Sequence, residues 1–264
     1  MDTKQFSTQI RKIILERSFA AHVGHIGSAL SIADIVAVLY TKALHSSTYQ
    51  DPDRDRFILS KGHAALALYA ALCLKGWITE EILNSFLSDG SALGVHPEHA
   101  VSGIDFCTGS LGQGITYGVG AALAARLQNS TRRAFVLLSD AECNEGAVWE
   151  AAMFAAHHQL SNLIVIIDLN GQQAFGYTDQ VINMSPMSAR WSAFGWQVSE
   201  VDGNNVDEIE NVVNGLDTLQ GPPHVVIART VFGKGVSFME NQIKWHYLPL
   251  SLNEYQVAMQ EIEK

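Results

Sequence analysis

The sequence predicts an α/β fold: a mostly parallel central sheet with helices on both faces. Three observations carry that reading. Residues 134–138 (AFVLL) and 163–167 (LIVII) are uninterrupted apolar runs, as strands buried on both faces are. A helical pattern over 145–158 separates them. Further short strands and helices alternate after them, and strand-helix-strand order implies a parallel sheet.

The elements follow in order. Residues 4–20 read as a helix, with Ile10, Ile13, Ile14 and Leu15 on an apolar face between charges. A polar, glycine-bearing stretch from His22 to Ser28 interrupts the pattern. Ser31 is expected to cap a second helix running to about Ala43, with Asp34 in its first turn. Residues 64–75 and 79–87 are helical, the latter opened by Thr79, Glu80 and Glu81. Residues 90–109 are mostly loop. Residues 110–128 form a helix rich in Gly and Ala, which lets another backbone approach closely. A short helix at 187–194, a strand at 196–201, a helix at 206–217 and a strand at 224–228 complete the alternation. With no Pro/Gly/Ser-rich linker and no internal repeat, residues 1–264 are expected to form one domain.

Composition excludes several classes. The chain has 264 residues, 47% hydrophobic and 17% charged, which does not suit disorder. No apolar run approaches the roughly 18–20 residues of a membrane span. The net charge of -10 argues against nucleic acid held by bulk attraction. Three cysteines without CxxC suit a reducing compartment, and the amphipathic N-terminus lacks a signal-peptide core. A cytoplasmic location is therefore expected.

Ligands of parallel sheets sit at the carboxyl ends of strands. Asp140 and Asn170 each lie just beyond a buried strand, 30 positions apart. A carboxylate and an amide oxygen there suit a hard divalent cation such as Mg²⁺. The same residues also suit a helix cap and an Asn-Gly turn. Four histidines stand in loops or at helix edges: His25, His63, His96 and His246. The first three have glycine close by, so backbone can approach a ligand there, and histidine moves protons near neutrality. His22, His99, His157 and His158 lack such a setting. Gly109–Gly114 has the wrong glycine order for a dinucleotide fingerprint, and Gly233-Lys234-Gly235 lacks the spacing of a P-loop. Glu145 and Glu150 fall in one predicted helix, where glutamates are normally solvated. No HxxxH or paired Cys/His spacing points to a transition-metal enzyme.

Seven segments, in order, resemble the N-terminal, diphosphate-binding half of transketolase. They are Val23-Gly-His-Ile-Gly27, Asp55-Arg-Phe-Ile-Leu-Ser-Lys-Gly-His-Ala64, Gly94-Val-His-Pro-Glu98, Thr108-Gly-Ser-Leu-Gly-Gln-Gly114, Ser139-Asp-Ala-Glu-Cys-Asn-Glu-Gly146, Asn162-Leu-Ile-Val-Ile-Ile-Asp-Leu-Asn170, and Gly233-Lys-Gly-Val-Ser-Phe-Met-Glu240 followed by Trp245-His246. Each is weak alone; the ordered set covers nearly the whole chain and is specific.

The resemblance implies a thiamine diphosphate-binding fold of the diphosphate-binding (PP) type. It implies Mg²⁺, with Ca²⁺ or Mn²⁺ as substitutes, held by Asp140, Asn170 and the Gln172 backbone carbonyl. His63, His246 and the Ala141 backbone would lie at the diphosphate, and Gly109 and Leu111 beside the aminopyrimidine. His25 and His96 would meet the reacting end of the substrate. The implied catalytic set is His25, His96 and His246. Glu145, also a cofactor-site candidate, and Glu150 match an acidic cluster at a subunit interface. The implied reaction moves a two-carbon ketol unit from a ketose, phosphorylated or not, to an aldehyde.

Three departures stand out. The family's Gly-Asp-Gly reads Ser139-Asp140-Ala141, and Ala141 restricts positive φ. Gly171 follows the metal-site Asn where a polar or basic residue is common. Tyr247-Leu248-Pro249 follows His246 where the family has glycine. The chain ends at Lys264, before the family's second thiamine-binding domain. The expectation is one half of a split enzyme, completed by a separate C-terminal chain in an α2β2 heterotetramer. One alternative is a subunit of a thiamine-dependent acyl or acyloin transferase. Another is a noncatalytic partner subunit.

Overall fold

The computed structural model describes residues 1–263. In chain order the helices and strands are α1 (Thr3–Ala21), α2 (Ile26–Ser31), α3 (Ala33–Val38), β1 (Arg56–Leu59), α4 (Ala65–Leu74), α5 (Glu80–Asn84), α6 (Gly114–Leu127), β2 (Ala134–Ser139), α7 (Gly146–His157), β3 (Leu163–Leu169), β4 (Gln172–Gln173), β5 (Gly176–Tyr177), α8 (Thr178–Val181), α9 (Met187–Ala193), β6 (Gln197–Asp202), α10 (Val206–Asn214), β7 (His224–Arg229) and α11 (Leu252–Ile262).

Five strands form one sheet in the order β1-β2-β3-β7-β6, and every pairing is parallel. The expected α/β class is observed. Alternation of side chains divides the core in two. Phe135, Leu137, Ile164, Ile166 and Val226 pack against helices α1 to α4, α10 and α11. Val136, Leu138, Val165, Ile167 and Val225 pack against α6, α7 and α9. A Cβ at Gly118 of α6 would lie 2.2 Å from Val136 Cγ2. The small-residue helix therefore rests directly on the sheet. Among the described residues no helix is long and apolar enough to cross a membrane.

Several expectations need correction. Ser31 does not cap a helix: it is the last residue of α2, and the chain breaks at Ile32 before α3 begins. The expected single helix to Ala43 is α3 followed by a wider turn over Leu39–Ala43. The Ser31 hydroxyl instead donates to Asp168 Oδ2 at 2.8 Å. The helix expected from residue 110 begins at Gly114. Several elements were not anticipated: α2, β1, β4, β5, α8 and α11. β1 is only four residues long and opens with Arg56. α11 is opened by a capping box between Ser251 and Glu254.

Candidate active site

Asp140 and Asn170 meet as their spacing predicted. β2 and β3 are neighbours, with Ser139 beside Asp168, so both chains leave the sheet at the same end. The Asp140 amide donates to the Asp168 carbonyl at 3.2 Å. Asp140 is fully buried. Its Oδ1 accepts from the Ala141 amide at 2.9 Å. Its Oδ2 accepts from the Gly171 amide and the Thr178 hydroxyl, each at 3.0 Å. One carboxylate thus ties the turns after both strands. Ala141 is not strained: it enters a short 3₁₀ turn and is absent from the residues with positive φ. Gly171 has φ +73°, which explains glycine at that departure from the family pattern.

Asn170 Nδ2 donates to Asp168 Oδ2 at 2.9 Å, which fixes the amide. Its Oδ1 accepts one bond, from the Gln172 amide at 3.0 Å, and keeps a lone pair. The Gln172 side chain is buried with both polar atoms unpartnered. Burial, and then the nearby Asp168 carboxylate, push Asp140 up to about 7. A buried carboxylate without a cationic partner beside a fixed amide oxygen is a donor set that fits a hard divalent cation.

These turns border a cavity of about 480 Å³. Its lining includes His25, His63, His96, Gly109, Leu111, Ala141, Glu145, Asn170, Gln172 and His246. Every sequence-selected site residue except Asp140 is on that surface, and Asp140 lies immediately behind it, lining an adjoining cavity together with Asn170. Glu150, exposed on α7, is not on the wall. Glu145 is also exposed, and it precedes α7 as its N-cap instead of sitting within the helix as expected.

The histidines arrive from three directions. His25 caps α2 at φ +61°, and its amide donates to the His246 carbonyl at 3.2 Å. His63 occupies the turn after β1, with Nε2 2.8 Å from the Ser28 hydroxyl. Its ring centre lies 5.4 Å from that of His25 and 6.3 Å from that of His246. His246 stacks on Phe232 at 4.5 Å. A Cβ on Gly62 would lie 2.9 Å from the Gly109 nitrogen, and one on Gly109 would lie 3.0 Å from the His96 ring. The floor is therefore backbone on backbone. The rim is bulky: Phe175 is 87% exposed and Tyr247 56%, with the Tyr247 hydroxyl donating to the Ala174 carbonyl.

Burial, the nearby Lys61 cation and neighbouring imidazoles favour the neutral rings of His25, His63 and His246. His63 is held well below its usual range and His25 is lowered, while His246 falls to about 4. The unfolded chain therefore takes up the His246 proton near pH 6.5, and the folded protein only near 4. Between those values the unfolded state binds more protons, so this group removes stability as pH falls. Asp140 acts with the opposite sign between its unfolded value and about 7. Comparison with His246→Asn isolates the histidine: the fall in Tm from pH 6.5 to 4 is expected to be steeper in the natural protein. Parallel profiles would refute the assignment.

Sequence reasoning passed over the network beneath the site. Lys61 and Asp168 form a fully buried ion pair at 2.5 Å. Asp168 also accepts from the hydroxyls of Ser31 and Thr230 and from Asn170. Glu142, also fully buried, accepts from the Ser60 hydroxyl, the Gly112 amide at 2.9 Å and the Ser139 amide at 2.8 Å. It pins the Gly112 turn to the end of β2. For Asp168 and Lys61 the available signal was a lone charge in or beside an apolar run; Glu142 stands among other acidic residues and carried no such signal.

The whole chain has relatives. The family profile described as "Transketolase, thiamine diphosphate binding domain" matches residues 2–262. The chain is 39% identical over 267 residues to "6-deoxy-6-sulfo-D-fructose transketolase subunit SqwG" of Clostridium sp. (strain MSTE9), covering 100% of this chain and 97% of that protein. It is 38% identical over 260 residues to an apulose-4-phosphate transketolase subunit of Phocaeicola vulgatus, covering 98% and 92%. Among solved structures, transketolase from Leishmania mexicana superposes with a TM-score of 0.91 at 29% identity. The chain is fully covered there but spans only 42% of that protein. The same share, 42%, holds for human transketolase, at 35% identity.

Proposed function

Because this chain belongs to the transketolase family through its thiamine diphosphate-binding domain, we propose that it is the diphosphate- and metal-binding subunit of a two-chain transketolase. In this reading residues 1–264 act as one domain. A separately encoded C-terminal subunit completes the site in an α2β2 assembly. The donor is a ketose carrying a terminal anion such as phosphate, and the acceptor is an aldehyde. Support for the two-chain form comes from relatives named as subunits, of which this chain covers 92–97%.

One observation carries the proposal. Asp140 and Asn170 converge at adjacent strand ends, and the Asp140 carboxylate is buried with no cation beside it among the described residues. Asp140, Asn170 and the Gln172 backbone carbonyl would hold Mg²⁺, which neutralises a diphosphate locally in a chain of net charge -10. His63, His246 and the Ala141 backbone would face the diphosphate, with Gly109 and Leu111 beside the aminopyrimidine and Glu145 also on the cavity wall. When bound, thiamine diphosphate supplies a carbon nucleophile and a sink for the electrons released on C–C cleavage. The protein's share is binding and proton handling. Neutral His25 keeps a buried, unpartnered Nδ1, and neutral His246 an unpartnered Nε2. Each can exchange a proton with a substrate hydroxyl, with His96 at the cavity wall as a third.

Calorimetry with thiamine diphosphate and Mg²⁺, with and without the C-terminal chain, tests the proposal. Binding is expected with the partner present; none in either case would overturn it. The reconstituted pair is expected to turn over ketose phosphates. Turnover of 2-oxo acids alone would establish the acyl-transfer alternative instead.

A further inference from the structure

We propose that Glu98, His99 and Cys107 form a second metal site, for Zn²⁺, on the loop that supports His96 and Gly109. Among the described residues, these three bring a carboxylate oxygen, an imidazole nitrogen and a sulfur within 4.8 Å of one another. Cys107 Sγ lies 3.0 Å from Glu98 Oε2 and 3.2 Å from His99 Nδ1. The His99 amide also points at the sulfur, at 3.4 Å.

The loop is built to present them. Its two legs run side by side, with the Thr108 amide donating to the Pro97 carbonyl at 3.3 Å. The Thr108 hydroxyl anchors one leg to the Leu59 carbonyl at 2.6 Å. The Tyr69 hydroxyl anchors the other through the His96 carbonyl at 2.8 Å. The three donors therefore converge from a held backbone.

The donor set selects the ion. One thiolate, one imidazole and one carboxylate suit a borderline-soft tetrahedral cation and not Mg²⁺, which takes oxygen ligands. At ordinary Zn–S and Zn–N lengths, tetrahedral ligand atoms stand about 3.5 Å apart. The two observed separations from the sulfur need to open by only a few tenths of an ångström. All three side chains reach solvent, so water completes the fourth position. Binding replaces the thiol proton by the metal: a Zn–S bond forms, one proton leaves to solvent, and nothing is oxidised. Sequence spacing hid this group, because His99 and Cys107 are eight residues apart and only the loop reversal joins them.

Such a site would tether both legs directly beneath two walls of the cavity. It uses none of the residues assigned to Mg²⁺, so the two proposals fail separately.

Thiol kinetics test it on the full chain. Cys107 is exposed, Cys73 half-buried and Cys143 buried, so Cys107 is the fast-reacting thiol. One equivalent of Zn²⁺ is expected to slow its reaction with a disulfide reagent at least tenfold, and excess Mg²⁺ to leave it unchanged. His99→Ala and Glu98→Gln are expected to raise the Zn²⁺ concentration needed by at least tenfold, with the free thiol still reactive. Co²⁺ is expected to give a thiolate charge-transfer band that Cys107→Ser removes. Absence of protection, or protection unaltered in both His99→Ala and Glu98→Gln, would overturn the proposal.

Discussion

Asp140→Ala is expected to weaken Mg²⁺-dependent binding of thiamine diphosphate at least a hundredfold, about 2.8 kcal/mol. Two effects combine. The variant removes the only carboxylate of the proposed ligand set. It also leaves the Ala141 amide, the Gly171 amide and the Thr178 hydroxyl without their acceptor, loosening the turn that presents Asn170. Asp140→Asn separates the effects, since it keeps shape and an acceptor oxygen but removes the charge. It can accept on one side only, leaving either the Ala141 amide or the Gly171 amide facing a donor, so it is expected to be less stable than the natural protein but more stable than Asp140→Ala, and still to lose metal-dependent binding. Calorimetry against Mg²⁺ concentration, beside a thermal melt, reads both quantities. Unchanged affinity in the two variants would refute the metal assignment.

Asp168→Ala is expected to destabilise the protein by about 3–5 kcal/mol, the usual cost of stranding one buried charge. Lys61 is completely buried, and among the described residues its ammonium reaches, besides Asp168, only the Ser28 carbonyl, at 3.1 Å. Removing Asp168 also strands the Thr230 hydroxyl and the Asn170 amide, while the Ser31 hydroxyl keeps the Ser28 carbonyl at 3.0 Å. In a chain of this size the loss corresponds to a Tm about 10 °C lower. The double variant Lys61→Met/Asp168→Ala is expected to recover part of that loss, because it no longer buries an unpaired charge. Differential scanning calorimetry of the four proteins closes the cycle. A double variant as unstable as the sum of its singles would show that the pair does not act as a unit.

How much of this was legible in the sequence depended on range. β2 and β3 were plain because strands buried on both faces need no polar alternation, and their apolar runs are local. The spacing of Asp140 and Asn170 was legible for the same reason: one crossover links neighbouring strands. β1 was not legible, since four residues opened by an arginine carry little periodic signal. The break at Ile32 was hidden because α2 and α3 are buried on every side, so their sequence stays apolar through the interruption. Asp168 and Lys61 are 107 positions apart, and Glu142 and Ser60 are 82 apart. Their meaning lies in partners that only the assembled sheet brings together. The histidines could be selected singly from their settings, but their closeness follows from three loops converging at one end of the sheet.

The contact of Gly62 with Gly109 carries a consequence for how such a pocket diversifies. Where main chain rests on main chain, no side chain is available to be exchanged; a carbon added at Gly62 would press on the Thr108–Gly109 backbone and one at Gly109 on the His96 ring. Inheritable change in substrate choice is easiest at places with room for it. Those include the exposed rim at Phe175 and Tyr247 and whatever surface a second chain lays across it. A family built this way can keep one cofactor floor and acquire new sugars by altering its doorway.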